Sequence, residues 1–336
     1  MSNFTLVITS IALAENKVLQ LYSSEAKRRN VSLILIGDRK SPENFSLTGA
    51  EFYAIEQQKK LPFKLAKALP ENHYARKNIG YLIAIQNGAE VIVETDDDNL
   101  PYESFWQPRK LTVENARVIE NKGWINIYSY FTDKKIWPRG FPLEYVNQPQ
   151  AAEEDSINTI KAPIQQGLAD ENPDVDAVYR MTGDLPLKFE QKQPVALGRG
   201  SFSPFNSQNT TWFRQAFPLL YLPSYCSFRM TDIWRSFVAS RIAQEYGWFI
   251  LFHSSTVFQE RNEHNLLRDF EQEIPGYLNN ARIMEALLET DLCSDEQSIF
   301  ENLMRLYETL VHGRWIEEKE LHLLEAWIDD LIKLGL

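Results

Sequence analysis

The chain of 336 residues is 44% hydrophobic, 12% aromatic and 24% charged, the balance of a soluble protein long enough to bury a full core. Lys plus Arg number 35 against 46 Asp plus Glu, a net charge of -11 that argues against a general nucleic-acid binder but leaves room for a small anion in a local basic pocket. Only Cys226 and Cys293 carry thiols, and their contexts lack metal-type spacing, which argues against a disulfide framework or a structural zinc and fits a reducing compartment.

In chain order, Phe4 to Ser10 reads as a strand, Glu15 to Arg29 as a helix and "VSLILIGD" (31–38) as a second strand ending at Gly37 and Asp38. "HYARKNIGYLIAIQNGAE" follows, with Ile79, Leu82, Ile83 and Ile85 mostly on one helical face and a stop near Gly88. Ala89 to Val93 is a third strand that delivers Asp96, Asp97 and Asp98 to its carboxyl end, with Pro101 stopping any continuation. This βαβαβ order predicts an α/β fold with a mostly parallel sheet and ligands beyond the strand ends, where Thr9, Ser10, Asp38 and the three aspartates fall. Residues 107–160 read as strands and long loops, and turn residues dominate 161–215. "MTDIWRSFVASRIAQEYG" (230–247) reads as a helix capped at Thr231, "WFILFHSSTVF" as one or two strands, and the rest as helices ending in an amphipathic run. No stretch is long enough to span a bilayer, and the first residues read as a strand rather than a leader, so the expectation is a cytoplasmic protein, with peripheral work at a membrane as an alternative.

Three adjacent carboxylates repel one another, so a fold that gathers them needs positive charge, and a divalent cation is the economical source. Oxygen ligands with open positions suit Mg²⁺ or Mn²⁺ shared with substrate phosphates. An EF-hand loop counted from Asp96 would need glycine where Pro101 stands, and a haloacid-dehalogenase-type phosphatase would carry its aspartates on the first strand. The plainer alternative is a solvated turn or helix cap.

"VETDDDN" after a strand, preceded by "HYARKNIGYLIAIQNGA", resembles the nucleotide-sugar half of a GT-A glycosyltransferase with its DxD motif. More narrowly, "LILIGDRKSP", "VIVETDDDN", "MTDIWRSFVASRI" and "QERNEHN" resemble the STELLO family of glycosyltransferases and, more distantly, the reversibly glycosylated polypeptides that include UDP-arabinopyranose mutase. The matching stretches spread over roughly residues 4–270. The resemblance implies a GT-A-like domain over 1–265, with 1–106 as the nucleotide-sugar half and 107–265 as the acceptor half, followed by a helical subdomain at 266–336.

It also implies a nucleotide-sugar donor such as a UDP-sugar, a saccharide or lipid-linked hydroxyl acceptor, and Mn²⁺ or Mg²⁺ as cofactor. On this reading Asp98 and Asp96 hold the metal with His264, while Asp96 and Asp97 also serve the ribose or a metal-bound water. Arg76, Lys77 and Asn78 at a helix start suit phosphate, or are merely a solvated basic turn. Thr9, Ser10 and Asp38 suit base and ribose; Asn209, in "SPFNSQNTTW", suits sugar hydroxyls. Asp232 is the candidate base on the acceptor side, equally readable as a helix-terminal acid, with Arg235 nearby to bind substrate or merely pair. His253 reads as a core histidine, and Arg139 falls near the arginine that the reversibly glycosylated polypeptides modify, although the local match is poor. The C-terminal helices complete the fold or mediate a homo-oligomer. A catalytically silent nucleotide-sugar-binding or assembly protein, and a mutase, are the alternatives.

Overall fold

A computed structural model describes residues 3–148, 156–260 and 265–336. The first half follows the expected alternation. Thr5–Thr9, Ser32–Ile36 and Val91–Asp96 pair in parallel with Thr5–Thr9 in the middle, and Glu51–Tyr53 adds a short parallel edge. The apolar runs of the three longer strands are buried on both faces, which is why they lack alternation. Lys17–Arg29 forms the first crossover helix, with the Asn16 side chain accepting from the N–H groups of Val18 and Leu19 and Asn30 closing it in the left-handed region at φ 56°. The chain steps from the first strand to one neighbour and returns to the other, so the order reverses at Thr5–Thr9, and a crevice opens above its carboxyl end.

Helix Lys77–Gln86 lies against this sheet closely because Gly80 has no side chain. A Cβ there would meet Val7 Cγ1 at 2.5 Å and Ile36 Cγ1 at 2.9 Å. That approach brings the helix start, and Lys77 with it, under the end of Val91–Asp96.

The second half departs from the turn-rich reading of 161–215. Ile164–Asp170 and Asn209–Phe213 are fully buried strands in the middle of the sheet: Asn209–Phe213 runs antiparallel to both Val91–Asp96 and Ile164–Asp170, which pairs in parallel with Ile250–Gln259. Their polar side chains find partners on neighbouring strands and in the adjoining loops. Gln166 Nε2 donates to Asn209 O at 3.2 Å, and Thr210 Oγ1 donates to Gln166 Oε1 at 3.0 Å. A strand built this way shows neither an apolar run nor an apolar–polar alternation, so periodicity misses it. The sheet therefore has a parallel N-terminal half and a mixed second half that continues through Val195–Leu197, Thr112–Ile119 and Ser156–Lys161. The third strand ends at Asp96, ahead of Pro101, and Asn99–Pro101 forms a separate short strand that pairs with Ile250–Gln259.

Thr231–Glu245 is the expected helix, with one correction: Thr231 is its first helical residue and not its cap, and Met230, at the capping position, makes no side-chain cap bond. Helices Leu266–Glu289, Ile299–His312 and Glu320–Lys333 complete the chain. Their buried Leu303, Leu306, Trp327 and Leu331 join the same apolar cluster as Val7, Ile92, Trp212 and Trp234. Among the described residues no helix is long and apolar enough to cross a membrane. The architecture is that of an α/β, GT-A-like domain carrying C-terminal helices.

Beneath the sheet, Glu94 and Arg235, both essentially without solvent exposure, pair at 2.8 Å. Glu94 also accepts from Trp212 Nε1 at 2.8 Å and from the Tyr81 hydroxyl, and the Arg235 guanidinium lies 5.0 Å from the centre of the Trp212 ring. Removing one member leaves an uncompensated buried charge. Arg235→Met is expected to lose about 3–5 kcal/mol, and the Glu94→Gln, Arg235→Met double variant less than the sum of the two single losses, as measured by denaturant unfolding.

Candidate active site

Two cavities open above the point where the strand order reverses, and they share Thr9, Tyr74, Asp97 and Phe228. The first, about 280 Å³, has Asp96, Asp97 and Asp98 on one wall and Arg139, Asp174, Arg229 and Asp232 among its other lining residues. The second, about 310 Å³, lies over the ends of Thr5–Thr9 and Ser32–Ile36 and is lined by Ser10, Ile11, Gly37, Asp38, His73 and Arg76 among others.

Each aspartate of the triplet has a different neighbour. Lys77, whose side chain has no solvent exposure, donates to Asp96 Oδ1 at 2.8 Å, to Thr95 O at 3.0 Å and to Ser207 O at 3.4 Å. Ser10 donates its hydroxyl to Asp97, and Gln259 Nε2 donates to Asp98 Oδ2 at 2.9 Å. Burial raises the proton affinity of Asp96 and Asp97, against the pull of Lys77 on the first and the Ser10 hydrogen bond on the second. Positive charge close to these carboxylates would favour their ionised form.

Across the cavity Asp232 faces Arg139. The guanidinium bridges two carboxylates, reaching Asp174 at 2.8 Å through Nε and Nη2 and Asp232 at 3.1 and 3.0 Å through Nη1 and Nη2, and it also donates to Arg229 O. Asp232 accepts further from Ser207 N–H at 3.2 Å and from the Tyr74 hydroxyl at 3.2 Å. Burial alone would raise its pKa, but the charge and hydrogen bonds of Arg139 outweigh this and hold it down to about 2. Arg139 sits beside Gly140, at φ 89°, where a Cβ would meet Ile233 Cγ2 at 2.4 Å; this close approach packs the arginine's loop against the start of helix Thr231–Glu245.

Asp38 has a partly structural role. Its oxygens accept from the backbone N–H groups of Arg39, Asn72 and His73 at 2.7, 2.8 and 2.9 Å, which folds the loop forming one side of the second cavity. Thr9, Ser10, Asp38, Asp96, Asp97, Asp98, Arg76 and Asp232 all line one cavity or the other, and Lys77 lies directly behind Asp96. Besides Lys77, three expected residues do not line these cavities. Asn78 is buried and exchanges hydrogen bonds at 2.9 Å with Leu222 O and N; Asn209 Nδ2 is spent on Leu168 O and Thr256 Oγ1; Arg235 is committed to Glu94. Arg76 lines the second cavity, together with Asp97, and not the first. His264 lies outside the described residues. His253, against the backbone of Ser254, has its pKa pushed down by burial to about 4 and stays a neutral sheet residue.

The sequence reading missed Tyr74, Asp174, Ser207, Phe228, Arg229 and Gln259 as lining residues. Asp174 had one available signal, the Asn-Pro-Asp turn, but that turn gains meaning only once Ile164–Asp170 is recognised as a strand ending at the crevice.

Among the described residues, no group of three or more His, Cys, Asp or Glu side chains is arranged to hold a metal by itself. Mg²⁺ and Mn²⁺ sites on nucleotides often use only one or two protein carboxylates, with phosphate oxygens and water completing the shell. The hard oxygen donors of Asp96 and Asp98 at the cavity wall fit that kind of shared site.

The family model for STELLO glycosyltransferases matches residues 229–336. The chain is also 29% identical, over 93% of its length, to "Probable glycosyltransferase STELLO1" of Arabidopsis thaliana, and 29% identical over 92% to "Probable glycosyltransferase STELLO2" of the same plant. It spans 42% of the length of each of these relatives. The chain is thus STELLO-like.

The Arg139–Asp232 pair makes stability depend on pH in a defined direction. An unfolded aspartate titrates near about 3.9, whereas folded Asp232 titrates at about 2, so the ionised pair stabilises the fold above roughly pH 4 and the contribution is lost as pH falls through about 2. The stability gap between the unaltered protein and Asp232→Asn is expected to be full near neutrality and to narrow between about pH 4 and pH 2 in urea unfolding. A gap constant over that range would contradict the pairing.

Proposed function

From the chain's likeness to the STELLO glycosyltransferases, we propose that it is a metal-dependent glycosyltransferase that moves a sugar from a nucleoside-diphosphate donor, a UDP-sugar, to a hydroxyl on a saccharide or lipid-linked acceptor. The observation that carries the reading is the pair of joined cavities at the strand reversal, one walled by the aspartate triplet and the other by aromatic and polar groups suited to a nucleoside. In this arrangement the base and ribose lie in the second cavity, the diphosphate crosses Thr9 and Asp97, and the sugar faces Arg139 and Asp232.

Asp98 and Asp96 are the proposed ligands of a Mn²⁺ or Mg²⁺ ion, with His264 as a further candidate. When bound, the cation supplies charge compensation to the departing diphosphate. Lys77 favours the ionised form of Asp96 against the effect of burial and fixes it at the end of its strand, and Ser10 holds Asp97. Arg139 lines the region the sugar would occupy, with its N–H donors committed to Asp174, Asp232 and Arg229 O, so that it holds the two carboxylates in place there.

Asp232 requires a revised role. A carboxylate held near pKa 2 is a feeble base at neutral pH, so in the geometry described it is a positioning residue for Arg139 and Ser207. Proton abstraction by Asp232 would require substrate to displace Arg139 from it. Engagement of Asp96 by Lys77 and of Asp232 by Arg139 also supports a second reading, a domain that binds a nucleotide-sugar without turnover. A mutase acting through a glycosylated Arg139 is disfavoured, because two carboxylates keep that guanidinium firmly protonated and non-nucleophilic.

Isothermal calorimetry with UDP, with and without Mn²⁺, tests the shared premise. Asp98→Asn is expected to lower Mn²⁺-dependent UDP affinity at least about tenfold while leaving the metal-free titration unchanged. Hydrolysis or transfer from a panel of UDP-sugars then separates the two readings: turnover supports the enzyme, and tight binding without turnover supports the silent domain. Phosphate release independent of UDP would contradict both.

A further inference from the structure

Helix Leu266–Glu289 is the longest among the described residues, and it is buried along one side only. Asp269, Glu273, Gly276, Asn280, Met284 and Leu287 face inward. At about 100° per residue, Leu267, Ile274, Leu278 and Leu288 fall within a sector of about 80° on the other side. They are 73%, 38%, 68% and 44% exposed. Of the ten large apolar side chains exposed among the described residues, four thus stand on this one face, which makes it a patch and not the scatter of single residues that any soluble surface carries.

Charged groups accompany the stripe in a fixed order. Arg268, Glu271, Arg282 and Glu285 are all exposed and read plus, minus, plus, minus toward the C-terminus. None of them makes an ion pair among the described residues, and Arg282 Nη1 reaches only Asn279 Oδ1, at 3.5 Å. The order is complementary to its own reversal. Turned end for end about a two-fold axis between Gly276 and Tyr277, the helix sets Arg268 opposite Glu285 of a copy and Glu271 opposite its Arg282. The same axis leaves Ile274 one residue from Leu278 of the copy and Leu267 two residues from Leu288, so apolar side chains meet where the charges do. A two-fold axis also brings the same flank of both helices together, which this arrangement requires. A membrane is a poorer match, because the face carries Glu271, Glu285 and Glu289 against two arginines and is repelled by anionic lipid.

We infer that this face pairs antiparallel with the same face of a second copy of the chain, forming a two-fold homodimer. The helix pair spans about 30 Å, which gives an interface at the small end of the specific range, so association is expected at concentrations on the order of 10 µM. Glu273, on the buried side of the same helix, holds Arg229 at the wall of the first cavity, so the contact lies about one helix diameter behind a residue that supports the candidate active site.

Sedimentation equilibrium of the full chain tests the pairing. The unaltered protein is expected to pass from monomer to dimer as its concentration rises through that range. Leu278→Asp is expected to remain monomeric. Arg268→Glu or Glu285→Arg alone is expected to weaken association at least about tenfold, because each sets like charges opposite one another across the axis. The Arg268→Glu, Glu285→Arg double variant restores opposite charges in this register and is expected to dimerise again, as is an equimolar mixture of the two single variants. All these side chains are exposed, and thermal melts establish that each variant is folded. Monomer at every concentration would overturn the inference; if that monomer bound phosphatidylserine vesicles and Leu278→Asp did not, the face would be a membrane contact instead. A dimer indifferent to Leu278→Asp, or one lost in the single reversals and not recovered in the double variant, would also overturn it.

Discussion

The site depends on a lysine with no access to water. Lys77 sits in the first turn of its helix, where the helix dipole disfavours a cation, and burial disfavours it further. What offsets both is the end of the neighbouring strand: the carbonyl of Thr95, the carboxylate of Asp96 and the carbonyl of Ser207 converge on one ammonium group. The contact fixes the helix start, the tip of Val91–Asp96 and the approach to Asn209–Phe213 relative to one another. It also answers the electrostatic question raised by three consecutive aspartates, because part of the compensating charge is built into the chain. Gly80 makes the arrangement sterically possible by letting the helix settle onto Val7 and Ile36.

The far wall of the cavity is held from the C-terminal helices. Glu320, buried in the last helix, accepts from the N–H groups of Ser224 and Tyr225 and from the Tyr221 hydroxyl. Glu273 pairs with Arg229 at 2.8 Å, and Ser227 donates to Gln272 O. The segment that carries Phe228 and Arg229 into the crevice is therefore anchored at several points to helices distant from it in sequence. This gives the C-terminal helices a direct physical connection to the cavity, beyond completing the apolar core around Trp234 and Trp327.

The N-terminal half was legible in the sequence because its strands are apolar runs and its helices follow a 3.6-residue period, so Thr9, Ser10, Asp38 and the aspartates could be assigned to strand ends before any coordinates. The second half was not, because Gln165, Gln166, Asn209, Thr210 and Thr211 are buried polar residues whose side chains bond to residues distant in sequence, as Gln165 does to Lys110 O, Gln166 to Asn209 O and Thr211 to Arg109. Residue type also fails to specify direction. Asn78 follows Lys77 on the same helix but is rotated by about 100°, which turns it toward Leu222 instead of the crevice. Arg235, one turn after Asp232, turns under the sheet to Glu94 in the same way. The motif around Asp232 did mark the cavity, although the Arg139 pair changes the chemistry that Asp232 can perform.

The most direct test of the account is a crystal of the full chain soaked with UDP and MnCl₂, with anomalous diffraction recorded at the manganese edge. The account predicts a manganese peak in contact with the Asp98 or Asp96 carboxylate and with the diphosphate, Lys77 still bonded to Asp96, and the uracil ring in the cavity lined by Arg76, Asp38 and His73. A nucleotide bound elsewhere, or one in place with no manganese at the aspartates, would contradict it.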